Sequence, residues 1–185
     1  NGDLNSYPGR GIILGKKPDG TVVQVYWIMG RSPNSRNRIF KVTGSDVSTE
    51  AADESKVEDP SLIIYNAVRE DRKYAHSHDG QYIVTNGDQT DTIYDALKHG
   101  DSFEAACRTR RHEPDAPNFT PRISGLVDVT RGHVHAKLCV CPKSALDETG
   151  QVSEHRFYEY DFSTPTFNGL GYALVLFLSH FQISF

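Results

Sequence analysis

Strand-like runs joined by turn-forming residues recur along this chain, and they limit what it can fold into. Residues 9–16 and 21–29 flank Lys17-Pro18-Asp19-Gly20, and the Pro, Asp and Gly of this segment are typical of a hairpin turn. Two further hairpins are predicted in the same way, one joining residues 62–69 to 81–85 and one joining 122–129 to 133–141. Because a short hairpin joins antiparallel neighbours, the chain is expected to be built mainly from antiparallel strands.

Two consecutive helices are predicted between these hairpins. The first opens at residues 86–91, runs to about His99 and stops at Gly100. The second starts at Asp101-Ser102-Phe103-Glu104 in the manner of a capping box and runs to about His112. Residues 38–43 and 151–162 are predicted to form strands, and the acidic residues 46–59 an exposed loop or a frayed helix. With no βαβ alternation, the expected class is α+β rather than a doubly wound sheet.

Length and charge restrict the class further. A chain of 185 residues suits a single domain, residues 1–185. Its net charge of −4 argues against nucleic-acid binding through a broad basic face. The apolar run 170–185 is shorter than the roughly 20 residues of a membrane helix, so a buried strand or a packed tail is expected there. Residues 1–6 show no signal peptide, and three cysteines form no disulfide framework, which predicts a cytoplasmic protein.

Residues 30–41 form a basic stretch in an otherwise acidic chain. It follows the apolar run 22–29, which we interpret as a buried strand, and it contains Arg31, Arg36, Arg38 and Lys41. No Asp or Glu occurs between Gly20 and Ser45, although the chain has 24 acidic and 20 basic residues. Such a stretch is suited to hold a small phosphorylated ligand, and it is equally typical of a solvated loop. Local sequence leaves both interpretations open.

No metal site is predicted. His133, His135, Cys139 and Cys141 share one face of a predicted strand, but the outer two would lie ~26 Å apart at ~3.3 Å per residue. Zinc ligands must converge within ~2.3 Å of the ion, so this face cannot hold one tetrahedral zinc. His76 and His78 lack a third ligand nearby and are interpreted as exposed turn residues.

Five motifs in the same order carry a family resemblance. They are Tyr7-Pro8-Gly9-Arg10-Gly11, the segment Gly30-Arg31-Ser32-Pro33-Asn34-Ser35-Arg36, Tyr65-Asn66, Thr85-Asn86-Gly87-Asp88-Gln89-Thr90, and the segment from Glu113-Pro114-Asp115 to Pro121-Arg122-Ile123. Together they resemble the archaeal-type IMP cyclohydrolase family and its bacterial relatives, from about residue 7 to residue 129. The resemblance implies a four-layer αββα sandwich of the N-terminal-nucleophile hydrolase type. It also implies closure of 5-formamidoimidazole-4-carboxamide ribotide (FAICAR) to IMP with loss of water, without a metal or organic cofactor.

On this resemblance we assign candidate site residues. Tyr65 is the expected proton donor or acceptor, Glu113 its carboxylate partner, and Arg31 a third catalytic candidate that also holds the phosphate. The expected substrate-binding residues are Arg36 and Arg38 for the phosphate, Arg10 and Arg122 for the phosphate or the oxyanion, Asn66, Asn118 and Thr120 for the amides, Asp88 for the ribose hydroxyls, and Ser32 and Asn34 in the basic stretch.

Two alternatives remain open at this stage. An amide hydrolase of the same fold class would need a terminal nucleophile, whereas residue 1 is Asn. A non-catalytic purine-nucleotide-binding relative is the second alternative, since residues 170–185 do not look like the polar, Gly-rich ending that the family is expected to have. The sequence also leaves open whether the chain forms a homo-oligomer.

Overall fold

The computed structural model describes residues 9–17, 19–30, 32–57, 60, 63–74, 76–162, 173–178 and 182–183, the last two ranges by their backbone alone. Within these ranges the helices are α1 (Pro33–Arg36), α2 (Gln89–Lys98) and α3 (Phe103–Arg108). The strands are β1 (Arg10–Lys16), β2 (Val22–Ile28), β3 (Arg38–Thr43), β4 (Asp46–Ala51), β5 (Asn66–Arg72), β6 (Gly80–Thr85), β7 (Arg122–Thr130), β8 (His133–Cys141), β9 (Arg156–Asp161), β10 (Ala173–Leu178) and β11 (Gln182–Ile183).

The described strands form two antiparallel sheets. One sheet has the order β11-β10-β1-β2, and the other has seven strands in the order β3-β4-β5-β6-β7-β8-β9. The three predicted hairpins are confirmed as the pairs β1/β2, β5/β6 and β7/β8, and the strand predicted at 38–43 is β3. The predicted α+β class with mainly antiparallel strands is therefore confirmed.

Two apolar cores fix the layers. Ile12 and Leu14 of β1 pack between the sheets against residues such as Val84 and Val127, all of them fully buried. On the other side of the seven-stranded sheet, α2 and α3 bring Ile93 and Phe103 against that sheet. The described residues thus form a sheet, a second sheet and a helical layer, in that order.

The acidic segment 46–59 was predicted wrongly as a loop or a frayed helix. It forms β4 and a 3-10 turn at Glu54–Lys56. The segment forms a strand because β4 pairs with β3 on one side and with β5 on the other. Each of these strands also supplies a cation for one acidic side chain of β4. Lys41 pairs with Glu50 at 2.7 Å, and Arg69 approaches Asp46 at 3.5 Å.

Burial and element length also differ from expectation. The predicted buried strand 22–29 is only half-buried, because β2 is at the edge of its sheet and β1 is its one neighbour among the described strands. α3 ends at Arg108 rather than near His112, whose backbone N–H donates to Ser153 Oγ at 3.1 Å instead of continuing a helix. β5 begins at Asn66 rather than at 62, and β9 is shorter than 151–162.

The strand expected in the apolar run 170–185 is found at β10, which pairs with β1. Within the part of the chain that the structure describes, no helix is long and apolar enough to cross a membrane.

Candidate active site

A pocket of about 180 Å³ collects the predicted site residues from distant parts of the chain. It lies among the start of β1, the turn around α1, the start of β3 and the loop 113–120. Of the predicted residues, Arg10, Ser32, Asn34, Arg38, Glu113, Asn118 and Thr120 line it; its other wall residues are Met29, Gly30, Ser35, Ile63 and Asp115.

The α1 turn is folded tightly against the pocket. Ser32 caps α1 by accepting a hydrogen bond from the Ser35 backbone N–H at 3.1 Å, and Pro33 follows it at the first helical position, which its fixed φ suits. Gly30 lies beneath this turn, and a Cβ on it would come within 2.3 Å of the Ser35 carbonyl group. Only glycine therefore allows the turn to place Ser32 and Asn34 on the pocket wall.

The loop 113–120 forms the opposite wall and is closed by its own hydrogen bonds. The Glu113 backbone N–H donates to the Thr120 carbonyl at 2.9 Å. The Asp115 carboxylate accepts from the Thr120 N–H at 2.7 Å and also from its hydroxyl. These bonds hold Glu113, Asn118 and Thr120 on the same side of the pocket.

Arg10 and Glu113 form a buried, two-pronged ion pair. The two guanidinium nitrogens of Arg10 lie 2.6 and 2.7 Å from the two carboxylate oxygens, and each side chain is only 11% exposed. Arg10 also donates to the Asn86 carbonyl at 2.7 Å. Burial would lower the pKa of Arg10, but the Glu113 carboxylate outweighs it and raises that pKa. In this structure the charge of Arg10 is therefore already matched by Glu113.

Arg38 has no such partner. Its Nε donates to the Ser35 carbonyl at 2.8 Å, while its Nη1 is buried without a hydrogen-bond partner among the described residues. Burial lowers the pKa of Arg38. A buried donor left unpaired is costly, and a guanidinium presents a fork that suits phosphate or carboxylate oxygens. The wall of the pocket thus carries a positive group prepared for an anion.

Tyr65 is buried near Arg10 and Arg38 without lining the pocket, and it is paired with a residue that the sequence did not reveal. Its hydroxyl is 2.7 Å from that of Tyr26 on β2, and Thr49 holds its backbone through hydrogen bonds at 2.9 and 3.0 Å. Burial raises the pKa of Tyr65, against the opposing effect of Arg10 and Arg38. No local signal marks Tyr26, because an aromatic residue in a strand is most often part of a core.

Besides Tyr65, four predicted residues do not line the pocket. Asp88 pairs with Arg110 and, at 2.8 Å, with Arg122. These arginines lower its pKa against the opposing effect of burial. Asn66 donates to Asp91 at 2.9 Å, and Arg36 donates to the Gly30 carbonyl at 3.0 Å.

The remaining prediction, Arg31, lies outside the described residues. Gly87 lies next to both Arg122 and Glu113, since a Cβ there would lie 2.7 Å from Arg122 Nη1 and 3.6 Å from Glu113 Oε1. Substrate contacts by Arg31, by Tyr65 and by the other four residues off the wall stay predictions.

The cysteines and the potential metal ligands are placed as follows. Cys107, Cys139 and Cys141 are free and buried. Within the described ranges, no group of three or more His, Cys, Asp or Glu side chains is placed to hold a metal ion.

Fold and pocket together define the class: an α+β protein with a small pocket whose wall carries a buried arginine and an ion-paired carboxylate, with a tyrosine pair nearby. The sequence profile of the family described as "IMP cyclohydrolase-like protein" matches residues 7–152, and the chain belongs to this family.

A protein named "IMP cyclohydrolase" from Methanopyrus kandleri (strain AV19) is 31% identical over 126 residues, which cover 66% of this chain and 59% of that relative. The chain thus matches about three fifths of the relative's length. No solved structure matches the chain. The predicted family resemblance is confirmed.

Proposed function

We propose that this protein is an IMP cyclohydrolase, closing FAICAR to IMP with loss of water in purine biosynthesis. Family membership and the name of the archaeal relative support the reaction. The structural observation that carries the proposal is the buried, unpaired Nη1 of Arg38 at a pocket that also contains an ion-paired carboxylate. A ribotide phosphate would supply the missing acceptor for Arg38, and the Ser32 hydroxyl and Asn34 amide on the same wall could donate to it.

The size of the pocket limits what it holds. Small-molecule sites usually enclose ~300 Å³ or more, whereas this pocket has about 180 Å³. We therefore assign to it one end of the ribotide, the phosphate beside Arg38. The reacting amide arms would face Glu113 and the amide-bearing side of the loop 113–120, where Asn118 and Thr120 can orient them.

The chemistry needs few groups, because both reacting arms belong to one molecule. Fixing them in contact can remove ~7 kcal/mol or more of the barrier. The carboxamide nitrogen must then lose a proton as it attacks the formyl carbon, and the formyl oxygen must gain protons before it leaves as water. Since burial raises the pKa of Tyr65, it is a neutral phenol near pH 7 and begins as a proton donor. Glu113, held by Arg10 through both oxygens, is the fixed carboxylate that can accept the proton that the formamide nitrogen loses as water leaves.

Several further features belong to this proposal. The two sheets and the helical layer support the four-layer αββα sandwich of the N-terminal-nucleophile hydrolase type, in which residues 1–185 form a single domain. The three free thiols support a cytoplasmic location. The reaction as written requires no metal or organic cofactor, and its substrate is a purine nucleotide precursor.

The test is closure of FAICAR by the wild type and by Arg38→Met. Loss of the phosphate contact should raise KM at least about tenfold, since a hydrogen bond to a charged group contributes ~1.5–3 kcal/mol. The same change removes a buried unpaired charge, so stability without substrate should stay equal or increase. Arg156→Met, at an exposed ion pair with Glu154, is the matched control and should change neither value.

Absence of turnover by the wild type would refute the proposal. IMP binding in calorimetry without turnover would instead identify a non-catalytic nucleotide-binding member of the family. An unchanged KM in Arg38→Met would show that the phosphate lies elsewhere.

A further inference from the structure

The two phenols of the tyrosine pair are fixed by different sheets. Tyr26 lies on β2 of the four-stranded sheet, and its ring packs edge-on against Phe40 with ring centroids 5.8 Å apart. Tyr65 directly precedes β5 of the seven-stranded sheet, where Thr49 holds its backbone. The contact between the hydroxyls, at 2.7 Å, therefore bridges the sheets.

The charged groups around this pair are Arg10 on β1, Arg38 on β3 and Glu113 on the loop 113–120. Guanidinium groups donate hydrogen bonds and accept none. Within the described ranges, the hydrogen-bond partner of each hydroxyl is the other hydroxyl. One of the two phenol protons is used in this bond, so the other remains available for donation.

We propose that Tyr26 is a positioning residue for the reaction: its hydroxyl donates to the Tyr65 oxygen and leaves the Tyr65 proton for the formyl oxygen of the substrate. This inference rests on the proposed function. As the carboxamide nitrogen bonds to the formyl carbon, the O–H bond of Tyr65 breaks and a new O–H bond forms on the formyl oxygen. The Tyr65 phenolate then takes a proton from the attacking nitrogen, which restores the phenol and leaves a neutral intermediate for loss of water.

Tyr26 stabilises the phenolate in this sequence, together with the two arginines. Burial raises the pKa of Tyr65, and the guanidiniums and the hydrogen bond from Tyr26 oppose that rise. Tyr26→Phe removes only the donor and keeps the ring against Phe40, so it should raise the pKa of Tyr65 further. A hydrogen bond to a charged group is among the strong ones, which predicts a fall in kcat of about 10- to 100-fold. KM should change less than about threefold, because the bond strengthens only as charge develops.

The experiment combines kinetics with a titration that does not depend on turnover. FAICAR closure is measured for the wild type, Tyr26→Phe, Tyr65→Phe and the control Tyr82→Phe. Tyr82 also donates its hydroxyl, to the His78 carbonyl at 2.8 Å, but lies on the wall of a different pocket. The ionisation of Tyr65 is followed by NMR of ¹³C-labelled tyrosine rings, assigned with Tyr65→Phe. The inference is supported if kcat is low in Tyr26→Phe and Tyr65→Phe and unchanged in Tyr82→Phe. It also requires that the pKa of Tyr65 rise by about one pH unit in Tyr26→Phe.

A second variant keeps the result decisive if Tyr26→Phe does not fold. 3-Fluorotyrosine at position 26 keeps the hydroxyl and makes it a stronger donor. The first ionisation of the tyrosine pair should therefore move to lower pH, opposite to the upward shift expected in Tyr26→Phe. A normal kcat in Tyr26→Phe together with a low kcat in Tyr65→Phe would overturn this inference and leave the proposed function intact. No shift with fluorotyrosine would overturn it too. No turnover by the wild type would refute the proposed function, and this inference with it.

Discussion

The ion pair between Arg10 and Glu113 gives the sharpest prediction about stability. Glu113→Gln keeps the shape of the side chain but leaves the Arg10 charge buried and without a counter-charge. Breaking a buried pair costs ~3–5 kcal/mol. Because the amide oxygen can still accept one of the two hydrogen bonds, and each side chain keeps 11% exposure, we expect the lower end, about 3 kcal/mol.

The protein supplies a matched comparison for this value. Lys41 and Glu50 approach each other at 2.7 Å, almost the same separation, but their side chains are 55% and 40% exposed. An exposed pair contributes ~0–1 kcal/mol, so Glu50→Gln should cost no more than about 1 kcal/mol. The two ion pairs differ mainly in burial. The difference between the losses in unfolding free energy of Glu113→Gln and Glu50→Gln therefore measures the effect of burying the pair.

Urea unfolding is the assay. With an m-value of ~1–3 kcal/mol per M, Glu113→Gln should lower the midpoint by about 1–3 M, and Glu50→Gln by no more than about a third of that shift. Arg10→Met added to Glu113→Gln removes the stranded charge and should recover part of the loss. If Glu113→Gln costs no more than Glu50→Gln, or if Arg10→Met only adds to the loss, the buried ion pair does not stabilise the fold as argued.

Three further predictions concern the supports of the site. Gly30→Ala should displace α1, because the new Cβ would meet the Ser35 backbone at 2.3 Å. We expect the free energy of unfolding to fall by ~1–3 kcal/mol and KM for FAICAR to rise. An unchanged KM would contradict this prediction. Thr49→Val leaves the buried Tyr65 N–H without its acceptor and should cost ~1–3 kcal/mol in urea, whereas Thr49→Ser should cost clearly less. Asp88 has a lowered pKa, so its ion pairs contribute stability above the ordinary value of 3.8 and lose it as pH falls through the lower folded value. Asp88→Asn should therefore reduce the loss of thermal stability between about pH 5 and pH 2, and an unchanged pH slope would show that these ion pairs do not contribute.

Much of the candidate site follows from the sequence, although its internal pairing does not. The basic stretch and the segment 113–122 indicated Arg38, Ser32 and Asn34, and also Glu113, all of which line one pocket. Nothing local shows that Arg10 is matched by a carboxylate 103 positions away. The phosphate assignment therefore moves from a cluster of arginines to Arg38, whose guanidinium has a nitrogen without a hydrogen-bond partner among the described residues.

The amino-acid sequence by itself determined the elements whose stabilising contacts are local. Turn residues at 17–20 and 79–80 set two hairpins, and Ser102 and Gly100 mark helix ends, because their hydrogen bonds and backbone preferences involve only near neighbours. Tertiary structure alone decided which of the arginines is neutralised and that Tyr26 meets Tyr65. These outcomes depend on hydrogen bonds, charge pairing and desolvation between residues far apart in the chain, and the free energy of such contacts is defined only once the two sheets have packed.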